Sequence, residues 1–364
     1  MRYRGSFEQA RIQGSLEAAR QLLRSKVDQT QAIDVYAVIR EANLWLLFEP
    51  MDDLWGAYLP YGGGGVLINA NRSKSVQRLT AAHEYGHHVL GHAAAVDHER
   101  EVEHAFDLNR IDEAAAWSFA ADFLMPPRLV NSLYGELDLP QNLQAHHAYQ
   151  LSLFLGTSYN ATVRQLVAQR KISIDIGTAM LRVPPSNIKR MIGKGVSPAK
   201  SHAEVWPVDG SDAGRQLVVS LDDEISLCLP ETPSTGFRWM IDTSIIADIR
   251  EDPDRLSSSP SNAGNTGQGP LLGLVRTVLD PVDRHALNDR TGIAGSRYTT
   301  FRALGRGELE LKLSLMRPWE KDAKPKEVFN LCLHIEGKPT GDLDHGYLCE
   351  YKEDDLALAS VGAP

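Results

Sequence analysis

The sequence predicts an α+β domain followed by an all-β domain, and three observations carry that expectation. Over roughly the first 200 positions, apolar residues recur at helical spacing around a few short strand-like runs. From about residue 214 the texture becomes alternating and β-rich. Charge changes with it: residues 1–200 carry 21 Lys and Arg against 20 Asp and Glu, whereas residues 201–364 carry 17 against 27, in a chain of net charge −9. With 364 residues, 43% hydrophobic and 23% charged, the chain can bury two cores. Cys228, Cys332 and Cys349 show no CxxC spacing, which excludes a disulfide framework and a cysteine-rich zinc module. No apolar run reaches the roughly 18 residues of a membrane span, and Met1 to Gln9 lacks the apolar stretch of a secretory signal. A soluble, cytoplasmic protein with no membrane contact is expected.

The elements follow in order. Ala10, Ile12, Leu16, Ala19, Leu22 and Leu23 mark a helix over 8–25, and Asp34 precedes a second through Tyr36, Val38 and Ile39. Leu44–Phe48, Gly56–Leu59 and Gly65–Asn69, split by Pro50 and by Gly62 to Gly65, read as a small antiparallel sheet. A helix from Asn71 or Ser73 then carries Val76, Leu79, His83, His87 and Leu90 on one stripe. Another spans about 110–125 and is stopped by Pro126-Pro127. Further helices fill 142–193 around a break at Gly156-Thr157-Ser158, with a basic stretch over 164–200 that reads as a solvated face. Gln216–Ser220, Ile225–Leu229, Leu309–Leu315 and Val328–Ile335 are the strands of the second half. The expected domains are 1–196 and 214–364, with 197–213 as linker and a loop insertion over 250–290.

His83-Glu84-Tyr85-Gly86-His87 is an HExxH sequence inside a helix, where residues four apart share a face and two imidazoles can meet one zinc. Glu84 projects about 100° away from His83, a position that suits a general base acting on water better than a ligand. A third protein ligand is needed. The metzincin pattern would put Gly at 90 and His at 93, but the chain has Leu90 and Ala93, so the candidates are His92, His98, Glu103, His104, Asp107 and Glu113. Glu113 is the first choice, because Ala114, Ala115, Ala116, Ala120 and Ala121 on its helix would permit close approach to the HExxH helix. His92 and His104 are its main competitors.

These residues resemble the ImmA/IrrE family of bacterial metallopeptidases, through Thr80 to His92 and through Glu113 to Pro126, which is similar to an ExxAN-x-FA-x-x-LLMP stretch. Trp117 stands where Asn is usual and Phe123 where Leu is usual, and neither is expected to touch a ligand. The resemblance spans roughly residues 10–195 and implies a zincin-like fold with one zinc ion per chain. It implies His83, His87 and Glu113 as ligands and Glu84 as catalytic base. It also implies a helix-turn-helix repressor as protein substrate, cleaved to switch a stress or mobile-element response. Tyr134, Tyr149, Tyr159, His146 and His147 are candidate oxyanion donors. Direct nucleic-acid binding is not expected, given the acidic second half.

In the second half, Thr232-Pro233-Ser234-Thr235-Gly236-Phe237 reads as a hairpin tip, and Gly292 to Ser296 and Arg317-Pro318-Trp319 read as two more. Together they resemble the chagasin family of cysteine-protease inhibitors over about 214–337, with Thr232, Ser234 and Ala294-Gly295 departing from the usual loops. This implies an immunoglobulin-like β sandwich whose residues 232–237, Gly292, Gly295 and 317–319 could wedge into the cleft of a papain-like cysteine protease. The expected function is therefore a zinc endopeptidase. The alternative is a cysteine-protease inhibitor carrying a regulatory or structural zinc domain.

Overall fold

The computed structural model describes residues 2–93, 95–98, 111–241, 246–249, 269–281, 295–320 and 323–337. The chain divides into two compact units, with the boundary between Leu181 and Arg182. The expected boundary near 196 moves toward the N-terminus. No described helix is long and apolar enough to cross a membrane.

The first unit begins with α1 (Arg2–Arg24) and α2 (Val35–Glu41), the latter capped by the Asp34 carboxylate, which accepts from Tyr36 N and Ala37 N at 3.1 Å. Strands β1 (Trp45–Glu49), β2 (Leu54–Leu59), β3 (Gly65–Asn69) and β4 (Ala95–His98) form one sheet in the order β1-β3-β2-β4. The sheet is mixed, which corrects the antiparallel expectation: β2 pairs antiparallel with β3 and β4, but β1 runs parallel to β3. Gly62, Gly63 and Gly64 take positive φ values of 58°, 91° and 89° to turn the β2–β3 hairpin. The indole of Trp45 then lies over Gly65, where any Cβ would fall 1.8 Å from the ring, so the glycine admits β1 on the far side of β3.

Helix α3 (Lys74–Leu90) follows, tied to the end of β3 by Gln77, whose amide donates to Asn69 O at 3.4 Å and to Ala70 O and Arg72 O of the connection at 3.2 and 2.9 Å. Helix α4 (Ile111–Leu124) packs against both α1 and α3. A glycine admits it on each side. A Cβ on Gly14 would lie 2.0 Å from Ala115 O, and one on Gly86 would lie 3.0 Å from Phe119 and 3.3 Å from Ala116 O. Behind the contact Tyr85, Phe119 and Phe123 form a buried aromatic cluster with ring centroids 5.4–6.0 Å apart. As the two prolines predict, α4 ends before Pro126, and Pro127 opens α5 (Pro127–Glu136). Three further helices complete the unit, α6 (Ala145–Leu155), α7 (Tyr159–Ala168) and α8 (Ile174–Leu181), with the break at Gly156 (φ 63°) and Ser158 as the cap of α7.

The second unit opens with α9 (Pro185–Ile192), a helix the sequence had assigned to the first domain. Lys189 ties it to the segment read as linker, donating to Ala203 O at 2.8 Å and pairing with Glu204 at 3.0 Å. That segment is not a linker throughout. It contains β5 (Val205–Asp209), which pairs parallel with β7 (Glu224–Glu231) and buries Val205, Trp206 and Val208. The remaining strands are β6 (Gln216–Ser220), β8 (Arg238–Ile241), β9 (Ile246–Asp248), β10 (Leu272–Pro281), β11 (Gly295–Ala303), β12 (Gly307–Met316) and β13 (Glu327–Glu336). They form a five-stranded sheet, β5-β7-β11-β10-β9, and a four-stranded one, β6-β13-β12-β8. β10 corrects the insertion reading over 250–290, since it sits between β11 and β9 with buried Leu272 and Leu274. Residues 250–268 and 282–290 of that stretch lie outside the described residues. In β6, in β12 from Leu311 and in β13 from Phe329, every second residue is buried, including Leu217, Leu313, Leu331 and Leu333, so the sheet hides one face there.

Candidate metal centre

Helix α3 places His83 and His87 one turn apart, and the glycine-lined crossing with α4 brings Glu113 onto the same point. His83 Nε2 and His87 Nε2 are 3.1 Å apart, and Glu113 Oε2 lies 3.2 Å from the first and 3.6 Å from the second. All three side chains are buried. A tetrahedral ion with bonds of about 2.0–2.1 Å requires its donors to stand about 3.3 Å from one another, so two imidazole nitrogens and one carboxylate oxygen at these separations fit zinc. Burial pushes the Glu113 carboxyl up, but hydrogen bonds and charge from His83 and His87 outweigh it and hold the group well below the usual carboxylate range.

Glu84 is buried beside this cluster without belonging to it. Strand β2 passes close against it: a Cβ on Gly56 would lie 3.1 Å from Glu84 Oε1 and 2.4 Å from Thr80 Cγ2. The β2–β4 register shifts between Leu54 and Gly56, and Trp55, at that irregularity, packs on Trp117. Trp117 in turn lies over His83, ring centroids 4.0 Å apart and planes at 30°. The expectation that Trp117 would stand clear of the proposed ligands is thereby corrected. Its ring forms a wall of the centre.

Of the competing ligands, His92 alone has a described side chain. His92 faces the outer side of His87, Nδ1 to Nδ1 at 2.9 Å, rather than the converging Nε2 atoms. His88 is held by Tyr58, whose hydroxyl lies 3.1 Å from His88 Nδ1. Glu103, His104 and Asp107 lie outside the described residues, as does the side chain of His98. Of the oxyanion candidates, Tyr159 donates to Met180 O at 2.8 Å, Tyr149 is buried, and His146 and His147 pack on each other with centroids 3.9 Å apart. Tyr134, whose hydroxyl burial pushes up to about 12, has Lys171 5.3 Å from its ring. Sequence reasoning placed His92 at the centre as a competing ligand rather than as a partner of His87, and it missed Trp117 and Gly56 as neighbours. A glycine inside a strand was the available signal for the last of these.

In the second unit the tip at 232–237 meets the tip at 317–319. Pro233–Thr235 form a single 3-10 turn, and Gly236 (φ 78°) carries the Trp319 ring, which a Cβ there would meet at 2.5 Å. Arg317 donates to Thr235 O at 3.3 Å and lies 4.7 Å from the Phe237 ring centre. Trp319 stays 67% exposed. Gly295 pairs with Glu231, and Arg297 donates twice to that carboxylate at 2.6 Å, while Glu231 also accepts from Trp239 N at 3.1 Å. Gly292 lies outside the described residues.

Comparison with known families matches two stretches of the chain. Residues 40–166 fit the family model described as the IrrE N-terminal-like domain, a peptidase family, and residues 218–333 fit the chagasin family peptidase inhibitor I42. The chain joins an IrrE N-terminal-like domain to a chagasin-family domain. The IrrE-like match covers β2, β3, α3 and α4 and therefore every residue of the candidate centre; the chagasin-family match covers all three tips. Among solved structures, the cysteine protease inhibitor EhICP2 from Entamoeba histolytica is 19% identical, with 38% of this chain and 100% of that one covered and a TM-score of 0.28. Amebosin is 16% identical (36% and 98% covered, TM-score 0.25), and PbICP-C, solved in complex with falcipain-2, is 10% identical (37% and 91% covered, TM-score 0.20). No curated protein matches the chain.

Proposed function

We propose that this chain is a zinc-dependent endopeptidase, its IrrE-like domain a zincin-like unit with one zinc ion held by His83, His87 and Glu113. The observation that carries the reading is the convergence of two imidazoles and one carboxylate, all buried, at 3.1–3.6 Å from one another. Among the described residues the cluster holds three protein donors, the count of a catalytic zinc site, whereas structural sites take four. A zinc ion held there would supply Lewis-acid polarisation of a peptide carbonyl and acidify water. Glu84, buried next to the donors but outside their set, takes the proton from the attacking water and returns it to the departing amine. Trp117 keeps solvent from one side of His83 and fixes its ring.

The substrate is a protein, and the family resemblance points to a helix-turn-helix repressor in the bacterial cytoplasm, cleaved to switch a stress or mobile-element response. The test is metal analysis of the purified chain together with incubation against a helix-turn-helix protein encoded beside it. Wild type should cleave and Glu84→Gln should not, with zinc retained in both. Retained cleavage in Glu84→Gln would refute the assignment of the base.

A second reading concerns the chagasin-family domain, whose two sheets we take as an immunoglobulin-like sandwich. An Arg and an exposed Trp presented on strand tips are residue types that dominate binding hot spots. Its target would be a papain-like cysteine protease, and inhibition of papain that disappears in Trp319→Ala would establish it.

A further inference from the structure

We infer that His92 is a positioning residue for the metal centre, holding His87 in the one tautomer that can bind an ion through Nε2. The inference rests on the proposed zinc site and deepens it. Helix α3 ends in a Schellman motif: Gly91 is left-handed (φ 70°), Gly91 N donates to His88 O at 3.1 Å, and His92 N donates to His87 O at 2.9 Å. The chain therefore folds back at Gly91, which sets the His92 ring beside the His87 ring, centroids 5.0 Å apart, with Nδ1 facing Nδ1 at 2.9 Å.

A 2.9 Å nitrogen pair needs one proton between its members. If that proton sat on His92, His87 Nδ1 would be the acceptor, and the neutral ring would carry its own proton on Nε2, where the other donors converge. If it sits on His87 Nδ1, then Nε2 has its lone pair free for an ion. The second arrangement leaves neutral His92 protonated at Nε2, which lies 3.7 Å from Asp112 Oδ1 and so faces an acceptor. Asp112 is 66% exposed and its contact long, so its own share is small; the main effect belongs to His92, which is 13% exposed.

The readout is the zinc dissociation constant of the full chain, measured by competition with a chromophoric chelator. In His92→Leu, which keeps the bulk and removes the acceptor, zinc binding should weaken about 10–100-fold. His92→Asn places Oδ1 where Nδ1 stood and should restore most of the affinity. His83→Ala should abolish binding, which locates the ion at the proposed centre. Thermal unfolding of the zinc-free variants separates positioning from misfolding: His92→Leu and His92→Asn should melt together while differing in affinity. Equal affinity in His92→Leu and wild type, with His83→Ala inert, overturns this inference and leaves the zinc site standing. A wild-type chain that binds no zinc, or an unaffected His83→Ala, overturns both.

Discussion

Gly56 offers the sharpest test of how the sheet sets Glu84, the proposed general base. In Gly56→Ala the new Cβ meets three atoms: Thr80 Cγ2 at 2.4 Å, Leu67 O at 2.9 Å and Glu84 Oε1 at 3.1 Å. The first two distances are closer than any real Cβ contact, and Leu67 O is main chain of the paired strand, so the strand and the helix must separate locally. Overpacking of this kind costs about 1–3 kcal/mol. In a unit of this size each kcal/mol lowers Tm by about 2–4 °C. The transition to follow is the one that added zinc raises, which marks the IrrE-like unit. A carboxylate moved by a few tenths of an ångström should lower kcat/KM on a cleaved substrate about tenfold, given that about 1 Å can cost a factor of a hundred. Zinc stoichiometry should not change, because the three donors lie outside the three contacts. Thr80→Ser removes the nearest atom and should recover part of the lost stability in the double variant, a coupling of about 0.5–3 kcal/mol. Wild-type stability in Gly56→Ala, or additive effects in the pair, would refute the packing argument.

Other perturbations separate the remaining roles. Glu84→Gln should reduce peptide cleavage at least about 100-fold, as loss of a general base does, while metal analysis still finds zinc. Trp319→Ala should leave the melting curve within about 0.5 kcal/mol of wild type, because the side chain is 67% exposed, and should weaken capture of papain by about 2 kcal/mol if the tips form a binding wedge. Arg297→Ala strips the buried Glu231 carboxylate of two 2.6 Å hydrogen bonds and should destabilise the chagasin-family unit by about 3–5 kcal/mol, read by denaturant titration. Burial raises Asp223 from 3.8 to about 6, against hydrogen bonds from Glu204 N, Ser220 N and the Trp206 indole. The folded state therefore binds this proton more tightly than the unfolded chain. The resulting stability is full below 3.8 and is lost as pH rises to about 6. Between pH 4 and 6, wild type should lose about 2 kcal/mol relative to Asp223→Asn, and parallel curves for the two would exclude the shift.

Much of the fold was legible because its signals are local. Asp34, Pro126-Pro127, Gly156 and Ser158 act on the backbone within a few residues, and each bounds a helix where the sequence puts it. What failed was non-local. An apolar run shows that 44–48 is a strand but not its direction; the partner decides that, and β1 runs parallel to β3 with Trp45 opposite Gly65. Val205–Asp209 contains Pro207, which argues against a central strand; the segment is an edge strand, where a missing donor costs little. Leu272–Pro281 falls inside the expected 250–290 insertion, just after the Ser, Pro, Asn and Gly of 257–269 that read as loop, yet it forms an interior strand of its sheet.

At the centre, helical spacing made His83, Glu84 and His87 readable, and alanines made the approach of Glu113 readable, because both are properties of a single helix. Trp117 is different, because its place depends on how two helices cross and not on either helix alone. On α4 it stands one turn after Glu113, so whatever brings that carboxylate to the imidazoles also brings the residue four positions on toward α3. Its ring meets His83, and Trp55 closes over it from an irregular strand. A large apolar side chain in place of a small polar one excludes water from the donors, which strengthens the attraction between the Glu113 carboxylate and a bound cation. The departure from the family pattern thus bears on the electrostatics of the site itself, and it reaches the site through the same helix crossing that positions the third donor.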